Sequence, residues 1–330
     1  MYRVVVTDHS FPSLDPERAA LDGLAEVVDR SPLRTEDDVI GAAADADALL
    51  IGFVPVTARV MDALPRLRCV VRYGVGYETI DVSAATERGI WVANVPDYCI
   101  PEVADHAMAM LLALARRVLT LDASMRRGEW AAVKVARPVH RIEGRTLGLI
   151  GMGRIGSAMA RRALGFGMRV IAHDKYLSPE RAQSVGAALV DLDSLLRQSD
   201  FISIHTPLTP ETHHLINAEA IGKMKAGAYL INVSRGAVVD TLALADALQM
   251  GKLAGAALDV FEHEPLPDDH PIRHAPNTIL NPHAAWYSEE ALIQLQINAA
   301  EEVARALRGE PMKNPLNRPV RSSHHRAAQH

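Results

Sequence analysis

Three residues in the second half of the chain carry side chains suited to acid–base chemistry: Arg235, Glu264 and His283. Arg235 is a permanently charged, planar donor that suits a carboxylate or a polarised carbonyl. His283 is a natural proton donor near neutral pH, and Glu264 could hold its ring and favour the protonated form. Each of them alone is more often structural. Together, on a dinucleotide-binding fold, they suit hydride transfer at a carbon coupled to proton transfer at an oxygen.

A glycine-rich turn upstream of these residues predicts such a fold. Its sequence is Gly151-Met152-Gly153-Arg154-Ile155-Gly156, and it follows a strand-like run and opens a helix-like segment, which is the context that the motif requires. The glycines would allow a tight turn, close approach of the backbone to a pyrophosphate, and close helix–strand packing. Amides at the start of the helix would hold the anion.

An acidic residue, Asp174, ends the next predicted strand. An acid about 20 residues after the glycines is expected to bind the ribose hydroxyls of the adenosine. Its charge would repel a 2′-phosphate, so the sequence favours NAD over NADP. The adjacent Lys175 is a cation whose charge could allow some binding of NADP.

Further polar residues stand where predicted strands end. They are His205 and Thr206, Ser234 and Arg235, Asp259, and His283. In open α/β sheets, ligands bind at the carboxyl ends of the strands, so these positions form a candidate site in their own right.

Apolar, β-branched runs alternate with helix-patterned segments along most of the chain, which predicts parallel sheets with helices on their faces. The predicted strands are 3–7, 25–28, 48–51, 68–73, 90–95, 146–150, 169–172, 201–205, 228–233, 255–258 and 278–280. A buried helix is expected to begin at Pro101-Glu102 and to form a hinge between two domains. Residues 121–142 are expected to be an extended arm, the last helix to span about 288–307, and the tail after Gly309 to be loosely ordered at its end.

Composition narrows the class of protein. The 330 residues include 35 Lys and Arg against 40 Asp and Glu, a net charge of −5 that disfavours a nucleic acid or an anionic membrane as the main partner. The two cysteines lack a metal-type pairing and predict free thiols in a reducing cytosol, and no signal peptide or membrane span is expected. The histidines lack a metal-binding frame, and no nucleophile motif is present, so neither a metal site nor covalent catalysis is predicted.

The chain resembles the D-2-hydroxyacid dehydrogenases over essentially its full length. Beside the glycine turn with Asp174, the motifs that carry the resemblance are Gly74-Val75-Gly76-Tyr77, Asn232-Val233-Ser234-Arg235-Gly236, Ala257-Leu258-Asp259-Val260-Phe261-Glu262-His263-Glu264-Pro265 and Pro282-His283-Ala284-Ala285-Trp286-Tyr287-Ser288-Glu289. The last of these, with His213-His214-Leu215-Ile216-Asn217, looks like the branch that includes the C-terminal-binding proteins. Ala284 and Ala285 stand where most of the family has glycines, in agreement with that branch.

The resemblance implies roles for individual residues. Arg235 would bind and polarise a 2-oxo acid, His283 would be the proton donor, and Glu264 would support His283; Asp259 would contact the nicotinamide amide. The cofactor-binding residues would be Gly151, Met152, Gly153, Arg154, Ile155, Gly156, Asp174, His205, Thr206, Pro207, Thr212, Val233, Ser234, Arg235, Asp259, His283 and Ala285. The substrate-binding residues would be Arg72, Tyr73, Gly74, Val75, Gly76, Arg235, His283 and Trp286.

The resemblance also implies the architecture, an α/β fold with two doubly wound parallel sheets. A Rossmann NAD-binding domain, residues 102–286, would be inserted into a flavodoxin-like substrate domain formed by residues 1–101 and 287–330. The usual form would be a homodimer built through the cofactor domain and the arm at 121–142.

The leading functional prediction is a cytoplasmic, NAD-dependent dehydrogenase acting on a small 2-oxo or 2-hydroxy acid. One alternative is an NAD(H)-sensing interaction protein of the C-terminal-binding-protein type. Another is a phosphoglycerate dehydrogenase, in which Arg72 would be joined by Arg137 or Arg141 at the substrate phosphate. Trp286 favours an apolar substrate instead.

Overall fold

The computed structural model describes residues 1–319 and divides the chain into two compact units. The first comprises Met1–Cys99 together with the chain from Ser288 onward, and the second comprises Ile100–Tyr287. Within the described residues, no helix is both long enough and apolar enough to cross a lipid bilayer.

The first unit contains a five-stranded parallel sheet in the order β2-β1-β3-β4-β5. This is the flavodoxin-like order that the family resemblance implies. Helices cover both faces of the sheet, and side chains such as Val4, Val5 and Val6 are fully buried between the layers. Its elements are β1 (Tyr2–Val6), α1 (Asp15–Ala20), β2 (Ala25–Asp29), α2 (Glu36–Ala42), β3 (Ala48–Ile51), α3 (Ala58–Ala63), β4 (Cys69–Arg72), α4 (Val82–Glu87), β5 (Trp91–Ala93) and the last helix within the described residues, α13 (Glu289–Arg308).

The second unit contains a seven-stranded parallel sheet. Its elements are α5 (Ile100–Ala115), α6 (Val118–Arg126), α7 (Ala132–Ala136), β6 (Thr146–Ile150), α8 (Arg154–Gly165), β7 (Arg169–His173), α9 (Pro179–Ser184), β8 (Ala187–Leu189), α10 (Leu192–Gln198), β9 (Phe201–Ile204), α11 (Ala218–Lys223), β10 (Ala228–Asn232), α12 (Thr241–Gln249), β11 (Leu253–Leu258) and β12 (Thr278–Leu280), with short 3-10 helices at Gly236–Val238 and Pro271–His274. The strand order is β12-β11-β10-β9-β6-β7-β8. Successive strands are therefore added on one side of β6 up to β8 and on its other side from β9 onward, so the strand order reverses between β6 and β9. A crevice outside the carboxyl ends of the strands at such a reversal is where ligands bind in open α/β sheets.

The predicted arm at residues 121–142 is wrong in its secondary structure, because α6 and α7 occupy much of it. Residues 118–127 contain neither glycine nor proline. Asp122 and Arg126, one helical turn apart, form an ion pair with an oxygen–nitrogen distance of 2.7 Å, which supports α6. Strand β8 is a further difference from the prediction: its Ala-Ala-Leu sequence has no β-branched residue to mark it.

The tail after Gly309 is predicted to be loosely ordered at its end, which lies outside the described residues, whereas residues 310–319 are described. Buried Asn317 accepts a hydrogen bond from the Val92 amide at 2.9 Å and donates to the Ile90 carbonyl at 2.9 Å, which ties the tail to the edge of the first sheet. Residues 320–330 lie outside the described part. Helix α13 itself agrees with the prediction: Ser288 caps its start, and Gly309, at φ 74°, ends it.

Candidate active site

Two of the three predicted acid–base residues are in direct contact. The Nδ1 atom of His283 lies 2.7 Å from Oε2 of Glu264, and each side chain is about one-third exposed. The backbone of His283 is in the left-handed region, at φ 54°. This conformation is uncommon for a residue other than glycine, and such residues concentrate at functional sites.

Asp259 holds the turn that carries His283. Its carboxylate is 1% exposed and accepts hydrogen bonds from the amides of Ala284 at 2.8 Å and Ala285 at 2.9 Å, one on each oxygen. Its carbonyl accepts from the amide of His283 at 2.7 Å. The resemblance implies that Asp259 contacts the nicotinamide amide, and that contact stays a prediction; each oxygen of the carboxylate accepts from one amide of the turn. Trp286 is fixed beside His283, because its indole N–H donates to the His283 carbonyl at 2.8 Å.

Arg235 follows β10 in a turn organised by Asn232. The Asn232 side chain accepts from the amide of Ser234 at 3.0 Å and donates to the carbonyl of Arg235 at 2.9 Å. The next residue, Gly236, packs against the chain that leads to Glu264: a Cβ on Gly236 would lie 1.8 Å from the carbonyl carbon of Phe261. The segments that carry Arg235 and Glu264 are therefore in backbone contact.

Hydrogen bonds keep Glu264 ionised. Partial burial acts to raise its pKa, but the hydrogen bonds from His283 and from the Phe261 amide outweigh burial and hold the pKa of Glu264 below its ordinary value. The site thus contains a carboxylate facing one ring nitrogen of His283, the arrangement that orients an imidazole for proton transfer at its other nitrogen.

The glycine turn between β6 and α8 is shaped for a dinucleotide. A Cβ on Gly151 would lie 2.9 Å from the backbone of His205, and one on Gly156 would lie 2.3 Å from the carbonyl oxygen of Gly151, so both positions exclude larger residues. Gly153 has open space around its Cβ position. This is the combination of tight turn, close packing and open approach that a pyrophosphate at a helix N-terminus needs.

Asp174 lies beside this turn. Its carboxylate accepts from the amide of Met152 at 2.8 Å, and its other oxygen accepts from the amides of Tyr176 and Leu177 at 2.9 and 3.1 Å. Carboxylate oxygens have about four acceptor sites, so these bonds orient Asp174 and leave capacity for ribose hydroxyls.

His205 stands at the carboxyl end of β9, on the other side of the strand-order reversal. Burial lowers the pKa of His205 to about 4, so its ring is neutral at physiological pH. Its Nε2 contacts the Ser203 hydroxyl at 2.9 Å, while among the described residues its Nδ1 has no hydrogen-bond partner.

Other predicted cofactor residues lie along the same edge of the sheet. Thr212 closes its loop by donating to the carbonyl of Pro207 at 2.7 Å. The remaining members at the carboxyl ends or in these turns are Arg154, Ile155, Thr206, Val233 and Ser234.

The first unit contains the predicted substrate turn after β4. Gly74, at φ 127°, permits the turn, and the buried Asn94 side chain fixes it by donating to the Val75 carbonyl at 2.6 Å. The guanidinium of Arg72 stacks over the ring of Phe53 at 5.0 Å. Tyr73 differs from expectation, because its ring is buried and its hydroxyl donates to Glu17 at 2.7 Å, which leaves its backbone as the part that faces the turn.

Sequence reasoning missed Asn94 and the turn-holding role of Asp259. Asn94 directly follows the carboxyl end of β5, and an uncharged polar residue at that point was a usable signal. Nothing in the sequence indicated that the Asp259 carboxylate would face the Ala284 and Ala285 amides, since that depends on the path of the loop between them.

Comparison with known proteins gives this geometry a context. Residues 108–285 match the family described as "D-isomer specific 2-hydroxyacid dehydrogenase, NAD binding domain". The chain is 46% identical over 288 residues to the glyoxylate reductase of Korarchaeum cryptofilum, and the aligned region covers 86% of each protein. It is 40% identical over 321 residues to the D-3-phosphoglycerate dehydrogenase of Methanocaldococcus jannaschii, and the aligned region covers 97% of this chain and 60% of that enzyme.

A solved structure extends the likeness to the fold. D-lactate dehydrogenase from Aquifex aeolicus, complexed with NAD and lactic acid, matches with a TM-score of 0.83 and 32% identity over 96% of this chain and 100% of that chain. The second unit is therefore an NAD-binding domain, as the glycine turn and Asp174 predict. The likeness to the C-terminal-binding-protein branch stays a prediction.

Proposed function

We propose, because this chain belongs to the D-isomer specific 2-hydroxyacid dehydrogenase family, that it interconverts a small 2-oxo acid and the corresponding D-2-hydroxy acid with NAD(H). The observation that carries the proposal is the 2.7 Å contact between His283 and Glu264 on the NAD-binding domain. An imidazole paired with a carboxylate supplies the proton transfer that must accompany hydride transfer to a carbonyl.

NAD, when bound, supplies the hydride donor in its reduced form and the hydride acceptor in its oxidised form. In reduction, Nε2 of His283 gives its proton to the carbonyl oxygen as C2 accepts the hydride, so the keto group becomes a hydroxyl. In oxidation, the same nitrogen takes the hydroxyl proton. Glu264 holds Nδ1, and the Arg235 guanidinium binds the acid and polarises its carbonyl.

The substrate side chain is proposed to be small and apolar. The Trp286 indole is fixed next to His283 by its hydrogen bond to the His283 carbonyl, and it presents an aromatic wall there. Arg141, a candidate phosphate ligand, instead lines a cavity of about 150 Å³ with residues that precede β9 and β10. That is the amino edge of the sheet, opposite the edge that carries His283, so Arg141 gives no support to a phosphorylated substrate.

A substrate panel tests the reaction. NADH oxidation would be followed with glyoxylate, hydroxypyruvate, 2-oxobutyrate, phenylpyruvate and 4-methylthio-2-oxobutyrate, and at least one should be reduced. His283→Ala should lower kcat by about 100-fold or more, which is a much larger effect than its weakening of NADH binding. His274→Ala, an exposed histidine in the same domain, is the control and should behave as wild type. Loss of NADH binding in His283→Ala equal to the loss of turnover would point to a structural role for His283.

We also propose that the protein is a homodimer. Several large apolar side chains are exposed along α6, α7 and the segment between them, and an apolar surface of this kind is typical of a protein–protein interface. They are Val118, Leu119, Met125, Trp130 and Val133. The double variant Trp130→Glu/Val133→Glu should be a monomer by light scattering, while Met250→Glu, which changes an exposed side chain elsewhere in the unit, should stay dimeric. A monomeric wild type would refute this proposal.

A further inference from the structure

Glu262, two residues before Glu264, joins three separate segments of the NAD-binding domain. One carboxylate oxygen lies 2.8 Å from Nε2 of His214. The other accepts from both the amide and the hydroxyl of Thr241, at 3.0 and 2.6 Å. Thr241 is the first residue of α12 and is buried, so this carboxylate fastens its loop to a rigid element.

The negative charge of the Glu262 carboxylate is stabilised by its hydrogen bonds. Partial burial opposes ionisation of Glu262, but the hydrogen bonds from Thr241 and His214 outweigh it and lower the pKa of Glu262 below its ordinary value. Removing one partner of a part-buried carboxylate leaves its lone pairs unsatisfied, which is costlier than the loss of an exposed ion pair.

His214 is itself held in place. Its backbone is in the left-handed region, at φ 48°, and its amide donates to the carbonyl of Ala237 at 2.8 Å. The ring of His213 stacks on its ring with centroids 4.1 Å apart, but the hydrogen bonds of His214 to Glu262 and to Ala237 do not involve His213. His214 therefore connects the turn that follows Arg235 to the loop that carries Glu264.

The same two segments meet a second time at Gly236. A Cβ there would be 2.0 Å from the Phe261 carbonyl oxygen and 2.4 Å from the Glu262 amide nitrogen. The Phe261 amide, in turn, donates to Oε1 of Glu264 at 2.9 Å. The chain from Phe261 to Glu264 is thus held in place by contacts at both Phe261 and Glu262. The Phe261 amide in turn orients the Glu264 carboxylate.

We propose that His214 and Glu262 are a positioning pair, which fixes the loop 261–264 against the Arg235 turn so that Glu264 meets His283. Neither residue touches the reacting atoms. The inference rests on the proposed function for its kinetic consequence, but the loop anchoring can be measured without turnover.

Three variants separate positioning from general stability. His214→Ala removes the donor, His214→Gln keeps a side-chain N–H at similar reach, and His213→Ala removes the stacked neighbour as the matched control. In His214→Ala, kcat for 2-oxo acid reduction should fall about tenfold, because small misplacements of catalytic groups have large rate effects. NADH affinity should change less than twofold. His214→Gln should regain most of kcat, and His213→Ala should stay within twofold of wild type.

Hydrogen–deuterium exchange provides the readout that needs no activity. The peptide spanning 259–266 should exchange faster in His214→Ala than in wild type, and at the wild-type rate in His213→Ala. Unchanged exchange of that peptide, or a kcat equal to that of His213→Ala, would overturn the positioning pair. A wild type that reduces none of the 2-oxo acids would instead refute the proposed function, while the exchange result would still decide whether the pair anchors the loop.

Discussion

The carboxylate of Glu264 is divided between two partners: Oε2 lies 2.7 Å from Nδ1 of His283, and Oε1 accepts from the Phe261 amide at 2.9 Å. The second bond prevents the carboxylate from rotating away from the imidazole. A carboxylate held in this way fixes which ring nitrogen faces the reaction, because Nδ1 is committed and Nε2 is the nitrogen left for proton transfer.

Glu264→Gln tests whether the charge of that carboxylate is needed. Glutamine keeps the size and an acceptor oxygen, but it cannot stabilise a protonated imidazole by charge. We expect kcat to fall about 100-fold, within the range for acid–base groups, with NADH affinity within twofold of wild type. Asp268→Asn, in the same loop and fully exposed, is the control. A Glu264→Gln variant with normal kcat would exclude an electrostatic role for Glu264.

Asp174→Ser should change the choice of cofactor. In wild type the carboxylate is fixed beside the glycine turn, where it would face a 2′-phosphate, and like charges in contact are worth several kcal/mol. We expect the ratio of kcat/KM with NADH to that with NADPH to fall by about tenfold or more. Glu180→Ser, which removes an exposed acid from the following helix, should leave the ratio unchanged. An unchanged ratio in Asp174→Ser would contradict the role given to Asp174.

The parts of the fold that sequence predicts well are those whose signals are local. The strand β6, the glycine turn and Asp174 are marked by a short apolar run, glycine spacing and an acid at a fixed distance, and the structure has the strand, the turn and the acid at the expected positions. The prediction of an extended arm at 121–142 is wrong because weak periodicity does not exclude short helices, which need only residues that do not break them.

The candidate site likewise has a part that sequence can predict and a part that it cannot. Arg235, Glu264 and His283 could be identified from residue type and from their positions after strands. The contacts that hold them, such as Glu262 with His214 across 48 positions, could not be identified, because sequence does not reveal which distant loop faces a given carboxylate. Asp259 shows the same limit: its residue type suits a ligand contact, but that its carboxylate also accepts from the Ala284 and Ala285 amides depends on the path of the loop between them.

Gly236→Ala should be destabilising and should impair turnover. The new Cβ would overlap the Phe261 carbonyl, a backbone group that cannot swing aside, so the two segments must separate. We expect a loss of about 1–3 kcal/mol in the free energy of unfolding, with a lower Tm and a lower kcat. Gly222→Ala is the matched control, because a Cβ there meets nothing within 4 Å and helix α11 should gain about 0.5–1 kcal/mol. Equal Tm values for the two variants would contradict the close packing at Gly236.

Glu17 makes the stability of the first unit depend on pH. Its side chain is fully buried, accepts from the Tyr73 hydroxyl at 2.7 Å and accepts from the Gln296 amide at 2.8 Å. Burial outweighs these hydrogen bonds and raises the pKa of Glu17 above its ordinary value of 4.5. The folded state therefore binds this proton more tightly than the unfolded state, so the contribution to stability is complete below pH 4.5 and is lost as the pH rises through the folded pKa.

Glu17→Gln should remove that dependence, because glutamine stays neutral while it fills the same space. We expect the difference in Tm, variant minus wild type, to become more positive between pH 5 and pH 8, measured by circular dichroism at constant ionic strength. Glu26→Gln, an exposed position on β2 of the same unit, should show a difference that does not grow with pH. A Tm difference for Glu17→Gln that is constant with pH would mean that the two donors fully offset burial, and one that becomes more negative at higher pH would mean that they outweigh it; either result would contradict the raised pKa.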